Sequence, residues 1–174
     1  IVEIDETGIR TGGKHYEFDT IVFALGFKPF LGAIDTAGVV NPRGQSPRDV
    51  WARGPRTMFG LMTPGFPNMF HTTNAGSPSV LGPLILENEF HVDWIADCLS
   101  EMARRGSEVV EATEQGADIW GAKSAKVAEH TLRRQVDNYM VHVNADDGSR
   151  IFQPWGAGMV TYVPEVRTMT ANGY

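Results

Sequence analysis

The chain has 174 residues, of which 42% are apolar and 21% charged, a length and composition that suit one globular domain with a buried core. Fifteen basic residues against 21 acidic ones give a net charge of -6, which excludes the basic footprint of a nucleic-acid binder. The single cysteine, Cys98, excludes an internal disulfide, and no stretch shows a membrane span or a secretory signal pattern, so the sequence predicts a cytoplasmic protein with no membrane partner.

Ile1 to Asp19 predicts a short β-meander: I-V-E-I, a turn at Glu6-Thr7-Gly8, I-R-T, a second turn at Gly12-Gly13, then H-Y-E-F-D. The first residue is not methionine and already lies in strand-like sequence, which leads us to expect a piece of a longer protein. D-T-I-V-F-A-L-G-F-K-P follows, from Asp19 to Pro29. Its unbroken apolar run, Ile21 to Leu25, predicts a central strand covered on both faces. Gly26 at the end of that run permits a sharp turn or the close approach of a ligand, and it equally fits a plain strand end before a loop.

From Lys28 to Arg56, glycines and prolines break every run, which predicts loop with one or two short strands, anchored by burial of Trp51. Met58 to Met62 and Met69 to Thr73 predict short strands on either side of a turn in T-P-G-F-P-N. The loop N-A-G-S-P-S-V-L-G-P, Asn74 to Pro83, then feeds a long amphipathic helix. Leu81, Ile85, Asn88, Val92, Ile95, Leu99 and Met102 recur at helical spacing and predict its buried face. On this reading His91 flanks the helix, and Glu89 and Asp93 are solvated. Arg104-Arg105-Gly106 ends it, with positive charge against the helix dipole and glycine for a left-handed cap.

A second helix is predicted from Thr113 to Leu132, with Ala117, Trp120, Ser124, Val127 and Thr131 on one stripe. After Val136 the pattern is irregular, with a turn at Asp146-Asp147-Gly148. Arg150 to Val163 is glycine-spaced and aromatic and predicts extended chain.

The small-residue loop before the first long helix is the strongest candidate for chemistry. A helix start offers unpaired N–H groups and roughly half a positive charge to an anion. As structure alone, G-S-P-S is also simply a good cap. Ser77 or Ser79 with His71 and Asp93 would be a hydrolytic triad, but no G-x-S-x-G elbow is present. The histidines 15, 71, 91, 130 and 142 are scattered without ligand spacing, so no metal site is predicted.

Several of these stretches resemble one family. D-T-I-V-F-A-L-G-F is similar to the late strand of two-dinucleotide-domain flavoprotein monooxygenases, W-A-R-G-P-R-T and T-P-G-F-P-N-M-F resemble segments that follow it, and together they point to the Baeyer-Villiger branch. The closing Asn172-Gly173-Tyr174 looks like the family's own ending. The resemblance runs from about Tyr16 to Met102 and is loose beyond Leu132. Leu25 replaces the usual threonine, Asn74-Ala75 stands where Gly-Pro is common, and Asn138 of Asn138-Tyr139 takes the place of a tryptophan beside the nicotinamide cofactor.

The resemblance implies an α/β fold: the C-terminal fragment of a Rossmann-like flavoprotein with two dinucleotide-binding domains, a β-meander and central strand followed by two long helices. Residues 1–110 would close the FAD-binding domain and carry the active-site loop and helix, and residues 111–174 would form a C-terminal helical and irregular segment. Both G-x-G-x-x-G turns of such an enzyme are absent here and are expected upstream, in an N-terminal part of the same enzyme or in a separate chain. FAD and NADPH are the implied cofactors, and a ketone and O2 the implied substrates. One oxygen atom would be inserted beside the carbonyl, through a C4a-peroxyflavin, to give an ester or lactone. Ser79, Val80 and Leu81 would line the substrate pocket, while Gly26, Phe27, Pro83, Leu84 and Asn138 would contact cofactor; no catalytic acid or base is identified. N- or S-oxygenation, or a non-catalytic piece packing on a partner chain, are the alternatives.

Overall fold

The structure, a computed structural model, describes residues 1–26, 29–144 and 146–171. Strands β1 (Glu3–Asp5), β2 (Gly8–Arg10) and β3 (His15–Glu17) form the expected antiparallel meander, with Ile9 opposite both Ile4 and Tyr16. Asp5 Oδ1 closes the first turn by accepting from the N–H groups of Thr7 and Gly8 at 2.9 and 3.0 Å.

The run behind the meander departs from expectation. Residues 21–25 form no strand, and Val22, Phe23 and Leu25 are 83%, 61% and 86% exposed. A strand persists where neighbours take up its N–H and C=O groups, and no described strand pairs with this one. The following loop holds two short helices in place of short strands, α1 (Gly32–Thr36) and α2 (Pro47–Val50). Ser46 and Asp49 form a reciprocal capping box at the start of α2, and Trp51 beside it is buried as expected.

Met58 to Met62 and Met69 to Thr73 were expected as strands. The first reduces to a bridge between Met58 and Met62 around a tight turn, and the second carries no strand. That turn places Phe59 and Leu61 in the core, where Phe59 meets Trp94 and Trp120 edge-on at 5.7 and 5.0 Å between ring centroids.

Helix α3 (Leu84–Arg105) ends where the sequence predicts, with Gly106 left-handed at φ 64° and Ser107 N–H returning to the Met102 carbonyl at 2.9 Å. Its buried face is a correction. Glu87, His91, Trp94 and Cys98 point into the core, whereas Ile85, Val92 and Leu99 of the predicted stripe are 76%, 58% and 48% exposed. Apolar residues lie on both sides of this helix, and the aromatic cluster engages the Trp94 side. Helix α4 (Glu114–Ala128) starts at Thr113, whose hydroxyl caps the Gly116 N–H, and buries Ala117, Trp120 and Ser124 as predicted.

Beyond α4, β4 (Val141–Val143) and β5 (Arg150–Phe152) pair across the expected turn at Asp146-Asp147-Gly148. The segment expected to remain extended after β5 instead becomes helix α5 (Gly158–Thr170), which contains Pro164 and sends Tyr162 and Val166 fully into the core. No described helix is long and apolar enough to cross a membrane.

Candidate functional site

The segment 74–79 is buried throughout, although it has no regular secondary structure before the single 3-10 turn Ser79–Leu81. Buried irregular backbone must have its polar groups met individually, and neighbouring elements do so here. Thr57 Oγ1 donates to the Ala75 carbonyl at 2.7 Å, and Gly76 N–H donates to the Gln153 carbonyl at 2.7 Å. Trp120 Nε1 donates to the Gly76 carbonyl at 2.9 Å, and Trp155 N–H to the Ser77 carbonyl at 2.7 Å. Within the loop, Ser77 Oγ donates to the Asn74 carbonyl at 2.8 Å. Gly76 sits at φ 90°, and a Cβ there would stand 2.6 Å from Thr57 Oγ1 and 3.0 Å from Trp120 Nε1. Only glycine fits.

From this fixed base the chain emerges at Val80, 46% exposed, and half-buried Leu81, then enters α3 through Gly82 and Pro83. Pro83 occupies the cap position, and among the described residues no side chain caps the first turn. The leading N–H groups of α3 therefore remain available, and Leu84, Ile85 and Leu86 around them are 45%, 76% and 57% exposed. An open helix start beside exposed apolar side chains can take an anionic or carbonyl edge of a ligand whose other part is apolar.

Pro83 and Leu84 thus adjoin Ser79, Val80 and Leu81 in one short segment. Gly26 is exposed at φ 69°, with nothing within 4 Å of where a Cβ would be, so among the described residues no backbone closes on it. Phe27 lies outside the described residues, as does the Asn172-Gly173-Tyr174 ending. Asn138 spends its side chain locally: Nδ2 donates to the carbonyls of Arg133 and Val136 at 2.8 and 2.9 Å, and Oδ1 accepts from Met140 N–H at 2.9 Å.

The hydrolytic alternative has no geometry behind it. His71 Nδ1 donates to the Gly60 carbonyl at 2.9 Å, its Nε2 accepts from Thr63 Oγ1 at 3.1 Å, and burial lowers the imidazole to about 4. Asp93 and Glu89 are solvent-exposed, as expected, but His91 is fully buried rather than on the flank. No group of three or more His, Cys, Asp or Glu side chains among the described residues could hold a metal ion. Sequence reasoning passed over Glu87 and His91; their signal was a spacing of four, shared with Trp94 and Cys98 three and seven residues further on.

Two other concavities flank the site. A cavity of about 330 Å³ lies behind the loop, lined by Thr57, Gly76, Trp120, Ser124 and Gln153. Ile85, Asn88 and Val92 line an open groove on the outer face of α3.

No family model matches the chain. Over its whole length it is 28% identical to a Baeyer-Villiger monooxygenase of Pseudooceanicola batsensis and 27% identical to the phenazine N-monooxygenase PhzNO1 of Lysobacter antibioticus, covering 32% of each. A solved structure of oxidized steroid monooxygenase bound to NADP is 37% identical over 99% of this chain and 32% of that one, with a TM-score of 0.83. Solved complexes with FAD and NADP at 23% to 24% identity share the fold, with TM-scores from 0.80 to 0.88. The chain spans about a third of the length of the relatives it matches.

Proposed function

We propose, from the premise that this chain is related over its whole length to the Baeyer-Villiger type of flavoprotein monooxygenase, that it forms the carboxyl-terminal portion of an enzyme inserting one atom of O2 beside a ketone carbonyl. The observation that carries the reading is the open start of α3 set directly after a loop that is rigidly held yet presents Val80 and Leu81.

FAD fits this donor set, because its isoalloxazine is largely apolar but carries carbonyl groups and becomes anionic on reduction. Bound FAD, reduced by NADPH, would supply the activation of O2. The residues of this chain bind and shape. First-turn N–H groups at Leu84 to Leu86 hold the polar edge, Pro83 keeps the helix start free of a competing side-chain cap, and Ser79, Val80 and Leu81 wall the substrate side and exclude water. Gly26 and Phe27 would approach the cofactor from the segment at 19–29, whose exposed apolar residues await cover from the N-terminal part of the enzyme. Asn138 enters through the loop its amide fixes, on the nicotinamide side. The single thiol, Cys98, is buried and free, which suits a cytoplasmic enzyme.

N-oxygenation is the second reading, favoured by the similarity to a phenazine N-monooxygenase. The full-length protein, supplied with NADPH and ¹⁸O₂, separates the two. Label in an ester or lactone made from a ketone supports the first reading, and an N-oxide from an aromatic amine without ketone turnover replaces it with the second. Failure of both substrates to drive oxygen-dependent NADPH consumption contradicts both.

A further inference from the structure

Three non-glycine residues around the loop hold left-handed backbone: Phe59 at φ 61°, Thr73 at φ 50° and Ser79 at φ 51°. For any residue but glycine this conformation is disfavoured, most of all for a β-branched or bulky one, and it persists only where surrounding contacts enforce it. Those contacts come from buried polar side chains on α3 and α5. Glu87 Oε1 accepts the Ser79 N–H at 2.9 Å. One helical turn on, His91 Nδ1 accepts the Thr73 N–H at 3.3 Å. His91 Nε2 donates to the Tyr162 hydroxyl at 2.9 Å, and that hydroxyl donates to the Phe59 carbonyl at 2.6 Å.

Glu87, His91 and Tyr162 are each 0% exposed. A fully buried carboxyl and imidazole on a helix face are costly to desolvate, and well-packed apolar side chains would stabilise the core more. Their second task is geometric. Thr73 and Ser79 bracket the loop, so the pair one turn apart on α3 fixes both of its ends.

We propose that Glu87 and His91 are positioning residues that hold the two strained ends of the loop and so determine where Val80 and Leu81 stand and which ketones the pocket admits. The part concerning ketones rests on the function proposed above; the hydrogen bonds do not. Glu87 Oε2 lies near Gly82, 3.7 Å from where a Cβ on that glycine would be, and the Ser77 side chain also faces the carboxyl, which therefore reaches both ends of the Ser79 to Gly82 turn. No lysine or arginine pairs with it among the described residues, in keeping with a group used as a hydrogen-bond acceptor rather than as half of an ion pair.

The test uses the full-length protein with Glu87→Gln, which keeps an acceptor for the Ser79 N–H, and Glu87→Ala, which does not. If the alanine variant fails to fold, Glu87→Met removes the acceptor while filling the volume. His91→Asn and His91→Ala form the matching pair for Thr73. Amide hydrogen exchange should accelerate at Ser79 roughly 10-fold or more in the Ala or Met variant, and stay within about 3-fold of native in the Gln variant. Relative kcat/KM for a small and a bulky cyclic ketone should shift at least ~5-fold in the first and be restored in the second. Unchanged Ser79 exchange without the acceptor overturns the clamp, and altered exchange with unchanged ketone preference overturns its role in selection. Absence of any ketone oxidation by the native protein counts against the function proposed above, and the exchange data still decide the clamp.

Discussion

Trp120 donates its indole Nε1–H to the Gly76 carbonyl at 2.9 Å while its ring lies stacked on Trp155, with centroids 4.7 Å apart and planes 15° from parallel. One side chain therefore joins α4, the loop and the chain entering α5. Trp120→Phe keeps much of the stack but leaves a buried carbonyl without its donor. We expect a loss of about 1–3 kcal/mol in urea unfolding, with the near-UV signal of the tryptophan pair diminished. A change below about 0.5 kcal/mol would show that the carbonyl finds another donor and that the bond does not hold the loop.

At Gly76 itself, alanine meets two obstacles together. The φ of 90° disfavours any Cβ, and the added atom would stand 2.6 Å from Thr57 Oγ1, which is itself engaged with Ala75. Gly76→Ala should cost about 2 kcal/mol or more and should impair ligand binding more than Gly121→Ala, a glycine inside α4 with nothing within 4 Å. Equal behaviour of the two variants would mean that the loop is not held where the structure has it.

Stability should depend on pH through the two buried imidazoles. Burial lowers both His71 and His91 from 6.5 to about 4, so between those values the unfolded chain binds protons that the folded chain refuses. Stability therefore falls as pH drops from about 6.5 towards 4, by on the order of 3 kcal/mol for fully buried His91. The groups facing His91 are Tyr162, Glu87 at 3.8 Å and His71, and repulsion from His71 adds to the lowering by burial. Glu87, raised by burial, contributes with the opposite sign: its share is present at low pH and is lost as pH rises above the ordinary carboxyl range. His91→Asn removes one imidazole and leaves Glu87 in place, so between pH 4 and 6.5 its stability should rise less steeply with pH than that of the native protein. Identical slopes in the two proteins would contradict the neutral, buried assignment of His91.

Cys98 has no exposed surface, and burial raises its thiol above the ordinary value. In the native protein it should resist thiol reagents for as long as the fold stays closed, and react at the rate of a free thiol in denaturant. Rapid labelling under native conditions would place α3 differently against the core.

Local signals in the sequence carried over well into the structure. The glycine turns of the meander, the Arg104-Arg105-Gly106 stop and the Thr113 start each depend on neighbours a few residues away, and each is found where expected. What failed depended on distant partners. The apolar run at 21–25 says only that something covers it, and the cover is not among the described residues. The spacing of α3 gave a helix but the wrong face, because Ile85, Val92 and Leu99 are as apolar as the buried side, and because Glu87 and His91 are types seldom buried. The glycine spacing of Arg150 to Val163 reads as extended chain, yet α5 forms because Tyr162 and Val166 bury completely, and tertiary packing outweighs local propensity. At the site, the small-residue loop and the helix start were legible; the side chains from Thr57, Trp120 and Glu87 that fix the loop were not, since each lies eight or more residues away from the group it holds.

The most direct measurement is a crystal structure of the full-length protein with FAD bound, read at the start of α3. The account predicts the polar edge of the isoalloxazine in hydrogen-bond contact with the first-turn N–H groups beyond Pro83, with Val80 and Leu81 facing the substrate side of the ring. A flavin bound elsewhere, with that helix start facing solvent or covered by another side chain, would contradict it.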